Sequence, residues 1–180
     1  MAITKIQSES LNLADTYAFT GTVTGAGGVN TPAFEASLSA DQNLTNGTFT
    51  KVNFNSEAFD TDNAYDNSTN YRFTVPSGKA GKYYFYTAHY GYDGQNAGKI
   101  NFAGISIYKN GSRLTLQYND NTTPNGHTSD IYTTFVTDDA SVGDYYEVYL
   151  LISNSDTGTP KCQGSSSDRT CLFGGYRIIE

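Results

Sequence analysis

The stretch of sequence that decides the fold reads Phe59-Asp-Thr-Asp-Asn-Ala-Tyr65-Asp-Asn-Ser-Thr69, then Phe73-Thr-Val-Pro76, then Gly81-Lys-Tyr-Tyr-Phe85-Tyr86. Shorter pieces follow in order along the chain: Tyr108-Lys-Asn-Gly111, Ser141-Val-Gly-Asp144 and Leu172-Phe-Gly-Gly-Tyr-Arg-Ile-Ile179. Aromatic and β-branched residues here alternate with asparagine, glycine and proline, which is the pattern of short strands joined by turns. These pieces therefore predict strands and turns of one β domain.

The strand pattern extends from Ala33 to the end of the chain. The predicted strands cover 33–38, 49–54, 71–75, 81–90, 100–108, 113–118, 131–136, 145–152 and a last one that ends at 179. The pair Asn110-Gly111 is a strong hairpin signal between two of them. No window shows a sustained helical period. The sequence therefore predicts an all-β domain, and the number and length of its strands suit a ten-stranded jelly-roll sandwich.

Composition supports this fold class and argues against several functions. The chain has 180 residues, enough for one domain with a core, and 14% of them are aromatic. Only 16% are charged, so asparagine, threonine, serine and glycine must supply most of the polar surface. The net charge is −7 and no basic cluster is present, which argues against nucleic acid as a partner. No apolar run reaches membrane length, so no membrane insertion is expected.

Residues 1–31 differ from the rest of the chain. Large apolar residues are spread over the first part: Ile3, Ile6, Leu11, Leu13, Tyr17 and Phe19. Residues 20–30 are small and polar with four glycines, and Pro32 closes this linker. We expect 1–31 to be a docking arm that orders against a partner, ahead of a globular domain at 32–180. The alternatives are a frayed terminus and a first strand that lies on its own domain. The first nine residues lack the apolar core of a secretion signal, so none is expected.

The ordered motifs resemble those of the complement globular-head (C-one-q) and tumour-necrosis-factor-like jelly-roll family. The resemblance covers about residues 32–180 and rests on motifs in family order: Tyr65–Thr69, Phe73-Thr74, Gly81–Phe85, Lys109–Gly111, Gly143-Asp144 and Phe173–Tyr176. The chain departs from the animal members because it has no collagen repeat and because Ser77–Ala80 separates Pro76 from Gly81. The resemblance implies a jelly-roll fold and, since members of this family are trimers, a homotrimer.

The aromatic residues give a second reason to expect contacts between subunits. Along the strand from Gly81, alternate residues lie on opposite faces, with Tyr83, Phe85 and His89 on one and Tyr84, Tyr86 and Tyr90 on the other. A strand that is apolar on both faces is covered on both. We expect the first face to pack in the sandwich and Tyr84, Tyr86 and Tyr90 to form the trimer interface, where tyrosine hydroxyls find polar partners. The alternative is that these tyrosines face water.

A second and shorter resemblance concerns the N-terminal residues. Met1-Ala-Ile-Thr-Lys-Ile6 and Phe19-Thr-Gly-Thr-Val-Thr-Gly25 are similar to the start of marine, cyanophage-like bacteriophage fibre and decoration proteins. This implies a virion structural protein, made in the host cytoplasm, whose knob is attached by the arm to other virion proteins of the capsid, portal or tail. The expected role is a tail or head fibre that adheres to a glycan or protein of the host surface. The alternatives are a decoration protein that stabilises the capsid or tail, and a secreted bacterial adhesin-like binding module.

Cys162 and Cys171 are the two cysteines of the chain. The flexible segment 163–170 lets their thiols meet, and we expect a disulfide that stabilises the fold by about 2–3 kcal/mol. Two free thiols are the alternative. A metal site would need more soft ligands nearby, and the chain has only two histidines. The loop 155–169 and these cysteines are expected to face outward, at the end of the domain opposite the C-terminus.

An acidic segment invites one metal hypothesis. Asp60, Asp62 and Asp66 are weak candidates for a calcium site. However, Ala64 and Tyr65 stand where a calcium loop needs a ligand and a glycine. Asx turns explain the same acids, so the sequence predicts no cofactor and leaves calcium as the alternative.

The two histidines do not indicate catalysis. His89 is expected to pack in a strand or an interface, and His127 to be solvated in a polar loop. Neither is accompanied by a serine in a nucleophile elbow, and no pair of glutamates stands out. The sequence therefore predicts no catalytic residues, and the protein is expected not to be an enzyme.

Overall fold

The computed structural model describes residues 30–95, 100–120, 128–155 and 157–178. The residues predicted to dock lie outside these ranges, as does one histidine: Ile3, Ile6, Leu11, Leu13, Tyr17, Phe19 and His127. Over the described ranges, no helix is long and apolar enough to cross a membrane.

The described residues form fourteen β-strands. They are β1 Ala33–Ser37, β2 Gln42–Asn43, β3 Thr50–Lys51, β4 Ser56–Asp60, β5 Tyr65–Asp66, β6 Arg72–Thr74, β7 Gly81–Tyr92, β8 Ile100–Lys109, β9 Ser112–Arg113, β10 Gln117–Asp120, β11 Ser129–Ala140, β12 Tyr145–Asn154, β13 Lys161–Cys162 and β14 Leu172–Arg177. The predicted number of ten is therefore too low. The difference comes mainly from two-residue strands, which are too short to produce an alternating pattern in the sequence.

The strands form two antiparallel sheets. Sheet A contains β2, β13, β7, β14, β1 and β4 in that order, and β11 pairs with the other edge of β7. Sheet B contains β10, β8, β12, β6 and β5 in order, with β9 also paired to β8 and β3 to β12. One edge of β7 is shared: β14 pairs with Tyr83–Ala88, and β13 pairs with Gly91–Tyr92. The fold class is all-β, as predicted.

The core lies between the sheets and is rich in aromatic rings. Phe34, Phe73, Phe85, Tyr146 and Phe173 are at most 1% exposed. The rings of Phe85 and Tyr146 stack with centroids 4.0 Å apart, and those of Phe34 and Phe73 with centroids 4.6 Å apart. Each such pair joins a strand of sheet A to a strand of sheet B and stabilises their contact by about 0.5–1.5 kcal/mol beyond area burial.

Two regions show why the observed strands differ from the predicted ones. The predicted strand 113–118 is split into β9 and β10, because the N–H groups of Leu114 and Thr115 both donate to the carbonyl oxygen of Ile107, at 2.9 and 3.1 Å. Two residues opposite one form a β-bulge, which interrupts the hydrogen-bond ladder between the two pieces. The strand β4 was not predicted, since it is an edge strand with a mostly exposed sequence and no alternating apolar residues.

Candidate functional site

An aromatic layer covers the outer side of sheet A. Alternate residues of β7 point inward and are buried, whereas Tyr84, Tyr86 and Tyr90 point outward and are half-buried. Neighbouring strands add residues to the outward set, so we define the aromatic face as Tyr84, Tyr86, Tyr90, Ile131, Phe135 and Tyr176. In the strand register, Phe135 lies opposite Tyr86, Ile131 opposite Tyr90, and Tyr176 opposite Tyr84. The three residues predicted for an interface therefore lie on one continuous surface.

Tyr84 lies at the centre of this layer. Its ring centroid is 6.1 Å from that of Phe135, 5.6 Å from that of Tyr176 and 6.1 Å from that of Tyr86. Ile131 and Phe135 remain 66% and 68% exposed. Large apolar side chains that are mostly exposed within a contiguous patch are typical of an association surface.

Hydrogen bonds hold the outer tyrosines in place. Tyr86 lies over Gly174, where an added Cβ would be only 2.5 Å from the ring, so glycine makes this position possible. Its hydroxyl donates to Glu35 Oε2 at 2.9 Å, and Glu35 also pairs with Arg169 at 2.5 Å. Burial and the bond to Glu35 raise the pKa of Tyr86. Tyr90 donates its hydroxyl to Ser129 Oγ at 2.8 Å. The face is therefore preorganised.

A second apolar patch lies on the edge of sheet B beside β11. We define the edge patch as Phe102, Leu116 and Tyr118, which are 37%, 41% and 56% exposed. Tyr118 covers Gly104, where an added Cβ would approach the ring to 2.8 Å. A depression of about 200 Å³ between β10 and β11 is lined by Tyr118 and Ile131 among others, so it joins the edge patch to the aromatic face.

The aromatic face contains residues that the interface prediction from the sequence did not include. Ile131, Phe135 and Tyr176 were not identified, although strand β11 is apolar or aromatic in both phases of its alternation, as β7 is. That shared pattern was the available signal. The edge patch had no such signal, because its residues come from three separate places: Phe102 from β8, Leu116 from the segment before β10, and Tyr118 from β10.

The acidic segment makes turns. Asp60 accepts hydrogen bonds from the N–H groups of Asp62 and Tyr65, at 3.2 and 2.7 Å. Asp62 lies 3.4 Å from Lys79 Nζ. Asp66 accepts bonds from the N–H groups of the three residues 68–70. These bonds lower the pKa of Asp66. Among the described residues, the three carboxylates do not form a cluster that could hold a metal ion.

The two cysteines lie in the interior with His89. Cys162, Cys171 and His89 are all 0% exposed, so the prediction that the cysteines face outward is wrong. Pairing of β13 with β7 places Cys162 opposite Gly91 within sheet A, and Cys171 directly precedes β14, which pairs with the same strand. The two Sγ atoms are 3.1 Å apart, and Cys162 Sγ is 3.3 Å from His89 Nδ1. Both cysteines are free thiols here, and the disulfide stays a prediction.

The surroundings shift the pKa values of the two cysteines in opposite directions. The thiol of Cys162 and then the N–H group of Tyr90 lower the pKa of Cys171, whereas burial raises the pKa of Cys162. The N–H group of Tyr90 donates to Cys171 Sγ at 3.2 Å. The sequence placed His89 in a packed strand but gave no sign of its contact with Cys162, since that contact depends on how β13 pairs.

Comparisons with known proteins identify the fold. No protein-family model matches the sequence, and no curated protein matches it significantly. The globular domain of zebrafish complement 1qA protein matches with a TM-score of 0.53 and 15% identity, over 82% of this chain and 97% of that one. Murine APRIL, in a crystal structure at pH 8.0, matches with a TM-score of 0.56 and 11% identity, over 81% of this chain and 98% of that one. The jelly-roll fold predicted from the ordered motifs is therefore confirmed. Neither structure bears on the bacteriophage expectation.

Proposed function

We propose that the protein is a non-catalytic binding module that works as a homotrimer, and that its copies associate through the aromatic face. The observation that carries this proposal is the pair Ile131 and Phe135, both about two-thirds exposed within an ordered aromatic layer. Burying a side chain of this size contributes about 1.5–3 kcal/mol. The family resemblance implies a homotrimer, and a homotrimer needs an interface such as the aromatic face.

A ring of three copies needs two different surfaces on each copy, because only head-to-tail contacts close around a threefold axis. The aromatic face and the edge patch are two such surfaces: the face includes residues of the edge strand β11, and the patch lies beside that strand. In the proposed assembly, the aromatic face of one copy packs against the edge patch of the next. Tyrosines suit this interface because the ring is buried while the hydroxyl keeps its hydrogen bond.

Light scattering coupled to size-exclusion chromatography tests this assembly. The wild-type chain should have the mass of three copies, and Phe135→Glu, which places a charge in the buried interface, should have the mass of one. Val142→Glu is the matched control, since Val142 is 53% exposed but lies in the turn between β11 and β12. A trimeric Phe135→Glu protein, or a monomeric wild type at micromolar concentration, would overturn the proposal.

A mixing experiment tests the head-to-tail arrangement. Phe135→Glu damages the face, and Tyr118→Glu damages the edge patch. Each variant alone should be monomeric, but an equimolar mixture should form a dimer through the one undamaged pair of surfaces. If both variants stay monomeric when mixed, the two surfaces do not pair with each other.

The role on a virion remains part of this proposal and rests on residues 1–31. We propose a knob that this arm attaches to a bacteriophage particle, as a tail or head fibre that adheres to the host surface. A shortened chain that begins at Thr31 should still form trimers but should no longer join particles. Incorporation of the shortened chain at the wild-type level would contradict the attachment role and leave the trimer proposal intact.

A further inference from the structure

We propose that His89, Cys162 and Cys171 form a buried binding site for a thiolate-preferring metal ion, with Zn²⁺ and Cu⁺ as the two candidates. Their ligand atoms all lie within 4.8 Å of one another, and all three residues are fully buried. They come from β7, from β13 and from the residue before β14. Pairing of β13 and β14 with the same edge of β7 therefore builds the cluster.

The imidazole of His89 is oriented as a ligand. Thr87 Oγ1 donates its proton to the carbonyl oxygen of Leu172 at 2.7 Å, so it can only accept from His89 Nε2, which is also 2.7 Å away. This assigns the ring proton to Nε2 and leaves the lone pair of Nδ1 directed toward Cys162 Sγ. An imidazole whose other nitrogen donates to a fixed oxygen is the usual arrangement around a bound metal ion.

The sulfur atoms are also arranged for coordination. The N–H group of Tyr90 donates to Cys171 Sγ, which stabilises the thiolate form that binds metals. At Zn–S distances of about 2.3 Å, a tetrahedral ion requires sulfur atoms about 3.8 Å apart. The present spacing is 3.1 Å, so the two side chains need to separate by less than 1 Å.

The donor set selects the class of metal ion. Two sulfurs and an imidazole nitrogen favour Zn²⁺ and Cu⁺, whereas Ca²⁺ and Mg²⁺ require oxygen ligands. Two thiolates neutralise a divalent ion, which makes its burial feasible. A trigonal Cu⁺ needs only these three ligands. Zn²⁺ prefers four, so it needs one more donor atom than these three side chains supply.

The full chain, purified under a reducing, oxygen-free atmosphere without chelators, provides the test. Separate titrations with Zn²⁺ and with Cu⁺ should show one ion bound per chain and a higher Tm in at least one case. Co²⁺ serves as a spectroscopic probe, because thiolate coordination gives an intense near-ultraviolet charge-transfer band. The band reports sulfur ligands in the wild-type protein, so this result does not depend on whether a variant folds.

Variants separate this site from adventitious binding. Cys162→Ser should abolish the cobalt band, and Thr87→Val, which removes the support of His89, should weaken binding about 10- to 100-fold. The matched control is His127→Gln, which removes the other histidine of the chain and should leave binding unchanged. No stoichiometric binding of Zn²⁺ or Cu⁺ by the reduced wild type would overturn the proposal. So would purification of the native protein with Cys162 and Cys171 joined as a disulfide that withstands mild reductant.

Discussion

The two faces of strand β7 carry similar residues but have different surroundings. On the inner face, Tyr83 and Phe85 are 0% exposed and contact aromatic rings of both sheets. On the outer face, Tyr84 and Tyr86 are half-buried, and the rings near them belong to the same sheet. The residue types do not separate the faces. What separates them is that sheet B covers one face, while within the described residues no element of the chain covers the other.

This comparison assigns different functions to the two aromatic sets. The inner set contributes to folding, because its partners are in the same chain. In the proposed assembly, the outer set contributes to association, because a second copy covers it. A substitution should therefore change the free energy of unfolding on one face and the mass of the assembly on the other.

The largest expected effect comes from Phe85→Ala. The side chain is fully buried and stacks on Tyr146 at 4.0 Å, so its loss should reduce the free energy of unfolding by about 3–5 kcal/mol. Tyr84→Ala, one position away on the other face, is the matched control and should cost much less. Both are best measured by chemical denaturation in the Phe135→Glu background, where assembly does not contribute to the apparent stability. Equal losses at the two positions would contradict the division between the faces.

A smaller effect tests how the outer face is built. Gly174→Ala places a Cβ 2.5 Å from the Tyr86 ring, which must move away from its position over β14 and from Glu35. Overpacking of this kind costs about 1–3 kcal/mol. We expect reduced stability together with weaker assembly, because the displaced ring leaves its place in the aromatic face.

A double-mutant cycle isolates this contact. In a Tyr86→Ser background the ring is absent, so Gly174→Ala should cost close to nothing more. If the cost of Gly174→Ala is the same with and without the Tyr86 ring, the glycine is required for another reason.

The two faces of β7 could be predicted from the sequence, but the residues that contact them from other strands could not. Alternation in 81–90 separates Phe85 from Tyr84 correctly, because strand geometry alone sends adjacent side chains to opposite faces. It could not show that Gly174 makes room for Tyr86, since that depends on which strand lies beside β7. The same limit applies to Cys162 and His89, which are far apart in the sequence and meet only through the pairing of β13 with β7.

The smallest expected effect concerns a turn that belongs to neither face of β7. Asp144 accepts hydrogen bonds from Asn110 Nδ2 at 2.8 Å and from the N–H group of Ser141 at 2.9 Å, and it lies 3.0 Å from Lys109 Nζ. These contacts, led by the bond from Asn110, lower the pKa of Asp144 below its ordinary value. They hold the tip of the β8–β9 hairpin against the turn before β12.

The sign of the pH dependence follows from that direction. A carboxyl group whose pKa is lower in the folded than in the unfolded state stabilises the fold above its unfolded pKa of about 4, and this contribution is lost as the pH falls through the folded pKa. The free energy of unfolding should therefore decrease below about pH 4, and it should decrease less steeply in Asp144→Asn. Denaturation curves from pH 7 to pH 2 measure the two slopes. The pKa of Asp66 is also lowered, but Asp66 is present in both proteins, so the difference between their slopes isolates the contribution of Asp144. Identical slopes would show that the turn does not couple protonation to folding.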